Sequence, residues 1–69
     1  MNENVSAKTM LAYLQSMLDD YMVEEKRWGP EDRVVGSKLR GMCACKDMVE
    51  ALIGIPVNLQ KDGKVTVGF

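Results

Sequence analysis

At 69 residues the chain has room for one domain, and a domain this short hides only roughly 60% of the surface its unfolded chain exposes. Two cysteines and no histidine fall short of a structural zinc site or a disulfide framework, so stability has to come from regular packing or self-association. A formal net charge of −1 offers no basic face for nucleic acid, and the sequence holds no apolar run of about 18 residues that would span a membrane.

The first predicted element is an amphipathic helix over about 6–27. Ser6 is a suitable N-cap, with Val5 and Met10 placed as a hydrophobic staple around it. Ala7, Met10, Leu11, Leu14, Met17, Leu18, Tyr21 and Met22 then recur at the helical period and fill one arc of about 140°. The opposite face carries Lys8, Gln15, Asp19, Asp20 and Lys26. Before this helix, Met1-Asn2-Glu3-Asn4 lacks the basic and apolar stretches of a signal peptide, which with the free thiols points to the cytoplasm.

Trp28-Gly29-Pro30 is the predicted connection, and the second helix is expected over about 30–53. Proline suits its first position, Glu31 and Asp32 favour its positive end, and Gly54 follows its last turn. Two lines of residues compete for the inner face. In an antiparallel hairpin, Tyr21 would lie near Ser37, Leu18 near Gly41, Leu14 near Ala44 or Cys45 and Leu11 near Met48, large residues against small ones, so that the backbones approach closely. A second seam, Val35, Leu39, Met42, Val49 and Ile53, repeats at fours and threes with Lys46 in the gap. If the small residues face the first helix, that seam needs another cover.

Residues 55–69 predict a β-hairpin turning at Lys61-Asp62-Gly63. A two-residue loop would mix polar and apolar side chains on each face. A three-residue loop with Gly63 left-handed pairs Leu59 with Val65, Val57 with Val67 and Ile55 with Phe69, placing all six apolar residues on one side. Pro56 falls on the other side, near the start of an edge strand. The fold class is therefore α+β, an antiparallel helical hairpin followed by a two-stranded β-hairpin (α-α-β-β), as a single domain over residues 1–69.

Few residues invite chemistry. The commonest general base is absent, and Cys43 and Cys45 point about 200° apart on a helix, where they are small packing residues. Asp19-Asp20 and Glu24-Glu25 diverge as helical neighbours and form a solvated face. No catalytic residue, metal or cofactor is expected, and the chain is predicted not to be an enzyme. Lys38 and Lys46 lie inside the apolar arc of the second helix. Either their stems cover apolar surface while the ammonium groups reach water, or with Arg40 they surround a small anion at a subunit boundary. Glu25 is placed to pair with Arg33 or Lys38. Trp28 closes the open end of the helix pair or stands out as an anchor for a partner.

The apolar inventory exceeds what one such unit hides, which predicts a homo-oligomer, most simply a dimer, with Val35, Leu39, Met42, Val49 and the hairpin at the interface and Trp28 at a partner contact. The expected function is non-enzymatic binding of a protein. Sequestration of a nucleotide-like anion by Lys38, Arg40 and Lys46 is the alternative, and a winged nucleic-acid module is disfavoured by the charge balance.

The segments Cys45-Lys46-Asp47-Met48-Val49-Glu50-Ala51-Leu52-Ile53 and Pro56-Val57-Asn58-Leu59-Gln60-Lys61-Asp62-Gly63-Lys64-Val65-Thr66-Val67 resemble the C-terminal part of short accessory proteins of phage-like elements from gut bacteria. The resemblance covers about the last third of the chain and brings no functional motif. It implies an accessory protein that acts stoichiometrically on host machinery.

Overall fold

A computed structural model describes residues 6–68 and contains four elements in the expected order: α1 (Ala7–Trp28), α2 (Arg33–Ile53), β1 (Val57–Leu59) and β2 (Val65–Val67). Ser6 caps α1 as predicted, its Oγ accepting from the Thr9 amide at 3.1 Å. The staple to Val5 lies outside the described residues. Lys26 and Arg27 stand in the last turn, where positive charge favours the helix dipole, and the Gly29 amide closes the helix on the Glu25 carbonyl.

Helix α2 starts three residues later than expected. Asp32 is its N-cap, and one carboxylate oxygen accepts from the amides of Val34 and Val35 at 3.0 and 3.2 Å. An aspartate that satisfies two orphan donors outweighs a proline that merely lacks one, so Pro30 and Glu31 fall in the turn. At the other end Gly54 adopts φ 78°, a left-handed conformation that costs a glycine little, and its amide donates to the Glu50 carbonyl.

The hairpin has the predicted register, Val57 opposite Val67 and Leu59 opposite Val65. Its loop is three residues long: the Gly63 amide donates to the Gln60 carbonyl at 3.0 Å, the Gln60 amide donates to the Lys64 carbonyl at 2.9 Å, and Gly63 has φ 93°. The pair Ile55–Phe69 extends beyond the described residues.

The sheet lies across one face of the helical hairpin, β1 against α2 and β2 against α1. Leu14, Leu18, Met42, Val49 and Val57 form the buried centre, with Met10, Leu11, Met17, Tyr21, Met22, Ile53, Leu59 and Val65 packed around it. Val35 is buried as well.

This arrangement reverses the expected roles of the two faces of α2. The seam Val35, Met42, Val49 is the inner one, covered by α1 and by the chain's own hairpin. Those three residues are therefore not free to meet a second subunit, and of the seam's predicted interface residues only Leu39 stays exposed. Ser37, Gly41 and Ala44 point outward instead of into α1. A Cβ built on Gly41 would meet nothing within 4 Å, so no close approach of α1 accounts for that glycine.

Candidate functional site

The three cations nominated for an anion do not converge within the chain. Lys38 is held by Asp20 of α1, with the Nζ to Oδ2 distance 2.5 Å. Lys46 reaches along its own helix to Glu50 at 3.2 Å and towards Asp47 at 3.8 Å. Arg40 lies about 200° around α2 from Lys38, over Gly36 in a shallow depression with Pro30, Asp32 and Ser37. Lys38 and Lys46 each end on a carboxylate. The Asp20 hydrogen bond raises the Lys38 pKa, against a smaller opposing effect of desolvation.

Glu25 finds neither predicted partner. Lys38 is taken by Asp20, and no ion pair among the described residues involves Glu25 or Arg33. Trp28 is not a lid: it is 60% exposed, and its indole N–H donates to Glu24 Oε1 one turn back.

Two side chains that the sequence placed without a role hold the hairpin down. The bonded pairs Gln60–Lys64 and Pro56–Gly68 fix the alternation of the ladder, so Val57, Leu59, Val65 and Val67 occupy positions whose backbone groups point away from the partner strand. Glu50 Oε2 accepts the outward Val57 amide at 2.7 Å on one edge. On the other, Gln15 Oε1 accepts the Val65 amide at 2.9 Å while its Nε2 donates to the Gly63 carbonyl at 2.6 Å. Each edge of the sheet is thus partly closed by a helix side chain, which blunts it against pairing with another strand.

The Val57 amide, and after it the Lys46 ammonium, hold the Glu50 carboxyl below its ordinary pKa. A carboxyl lowered in this way contributes stability that is complete above its unfolded-state pKa and is lost as the pH falls through the folded-state value. Urea midpoints measured down the acidic range are expected to fall for the parent chain and to fall less steeply for Glu50→Gln. Equal slopes would remove Glu50 from the docking of β1.

One apolar feature lies on the side of the helical hairpin that the sheet leaves open. A groove of about 550 Å³ runs between α1 and α2, lined by Thr9, Met10, Tyr13, Met17, Gly41, Ala44, Cys45, Met48 and Val49. Gly41 and Ala44 keep its floor low, and Tyr13 and Met48 stand up at its sides, 63% and 62% exposed. Val34 and Leu52 continue the same stripe of α2 and are also exposed. Trp28 stands five helical turns from Met10, in the same direction on α1.

No charged residue lines the groove, and the polar atoms that do are the Thr9 and Tyr13 hydroxyls, the Cys45 thiol and backbone. Cys45 is half-buried and Cys43 is exposed, and neither is in a disulfide. Among the described residues no three of histidine, cysteine, aspartate and glutamate come together as a metal site. The arrangement suits the burial of apolar side chains. No family model, curated protein or solved structure matches the chain.

Proposed function

We propose that this chain is a non-enzymatic binding protein that docks on another polypeptide through the outward face of its helical hairpin. The observation that carries this reading is the open apolar groove between α1 and α2, wide enough for large side chains and flanked by exposed Tyr13 and Met48. Grooves between two helices are recurrent receptors for an apolar helix face. Exposed tyrosine, tryptophan and methionine supply contact area on such surfaces. The likeness of its last third to phage-like accessory proteins fits a stoichiometric role, in which occupying a host protein's surface is the whole activity.

Sequestration of a small anion is the weaker reading, because Lys38 and Lys46 are each paired with a carboxylate and Arg40 faces elsewhere. A photocrosslinking amino acid at position 13, introduced in producing cells, is expected to yield discrete protein adducts. The same group at Lys26, exposed and about 140° around α1 from Tyr13, is expected to yield none. Equal labelling from both positions, or none from position 13, would refute docking through the groove.

A further inference from the structure

We infer that the polypeptide covering this face is a second copy of the chain, the two helical hairpins stacking into a four-helix bundle with a β-hairpin on each outer side. The inference rests on the docking reading above and names its partner.

The first argument is surface. Tyr13, Val34, Met48 and Leu52 are each more than half exposed on this one side of the helical hairpin, and a monomer rarely shows water so many large apolar side chains together. Stacking two helical hairpins on the groove side buries the face that carries Tyr13, Met48 and Leu52.

The second argument is the pattern on that face. Val34, Gly41 and Met48 recur at sevens along α2, with Ser37, Ala44 and Ala51 between them at threes and fours. On α1, Met10, Met17 and Glu24 recur at sevens, with Tyr13 after the first. This is the period of helices that pack on other helices, and on α2 it lies on the outer face, where Val34 and Met48 are exposed. Gly41 belongs to the same account. A glycine weakens the helix it interrupts, and within one chain the space above it is empty, so its benefit has to come from a neighbour that approaches from outside.

The third argument is self-complementarity. In a two-fold interface the same patch meets itself, so it has to hold both projections and hollows and must not bring like charges together. Tyr13 and Met48 project, Gly41 and Ala44 form the hollow, and no charge lines the groove. Of the charges on the same side, Asp20 pairs with Lys38 within each copy, and Glu24, one turn before the end of α1, accepts from the Trp28 indole.

Sedimentation equilibrium or native mass spectrometry of the purified chain tests this directly. The expected species has twice the 7.7 kDa chain mass. Met48→Glu is expected to weaken it about thirtyfold or more, the effect of losing an interface hot spot. The helical circular-dichroism signal should be retained, because Met48 is an exposed residue in the single chain. Lys26→Glu should leave the dimer intact. A parent chain that stays monomeric, or a Met48→Glu chain that stays dimeric, overturns the inference. If the chain is monomeric and the crosslinker at position 13 captures a different polypeptide, the second copy is excluded while docking through the groove survives. A monomer that captures nothing refutes both.

Discussion

Leu14→Ala is expected to remove about 3–5 kcal/mol of stability and leave most of the chain unfolded at physiological temperature. Leu14 is fully buried, at 0% exposure, at the centre of the cluster where both helices and the sheet meet. Truncating it removes apolar burial and opens a cavity whose walls belong to three different elements, so no single element can close it. A domain of this length has only about 3–10 kcal/mol in total. The loss is therefore comparable with the whole margin. Met48→Ala removes as many heavy atoms from the surface and is expected to change the stability of the single chain by less than about 0.5 kcal/mol. Urea titrations followed by circular dichroism, at concentrations low enough for the chain to be monomeric, make the comparison. Similar midpoints for the two variants would mean that the core has been assigned to the wrong face of α1.

Gln15→Leu is expected to cost about 2 kcal/mol, chiefly by leaving the Gly63 carbonyl and the Val65 amide without their partners in a half-buried site. The leucine roughly preserves volume, so the effect reports hydrogen bonding and not packing. Gln15→Glu should be worse than leucine near neutral pH. Its carboxylate still accepts from Val65 but turns a negative oxygen on the Gly63 carbonyl and on Asp19, the two groups that now accept from Nε2. That excess should shrink as the new carboxyl is protonated. Amide exchange at Val65 is the local readout. Unchanged protection in both variants would show that the hairpin is held by its apolar face alone.

These two neighbours show what could be seen in the sequence. Leu14 announces itself through the helical period, and the hairpin register follows from the need to put Val57, Leu59, Val65 and Val67 on one side with Gly63 at the turn. Local rules suffice for both. Gln15 looks like any polar residue on an outer face, because its partners lie about fifty residues away in the chain and nothing nearby points to them. Glu50 is hidden for the same reason, since a glutamate one turn after Lys46 resembles an ordinary surface pair.

The orientation of α2 failed on a different ground. Both of its faces are apolar enough to be buried, one through large residues at Val35, Met42 and Val49, the other through small ones at Ser37, Gly41 and Ala44. Which of them turns inward depends on where the sheet docks, a tertiary fact that no window of α2 contains. The start of α2 was a contest between two sound local signals, Pro30 and Asp32, decided by the two amide bonds that the aspartate makes. The candidate site inherited the error in orientation. The groove was invisible while its floor was assigned to the packing of α1.

The order of the elements along the chain sets a timetable for synthesis. Both helices precede the strands that cover them, and isolated helices form within microseconds. At about 5–20 residues per second, roughly a second or more separates the end of α2 from the arrival of a complete hairpin. During that interval the seam of Val35, Met42 and Val49 lacks its hairpin cover, and the outer groove is open as well. Closing the core then waits on a pairing between the two ends of the described chain. The slow and aggregation-exposed part of this protein's life is the time before Gly63 turns the strand back, when neighbouring nascent chains can reach α2 before its own hairpin does.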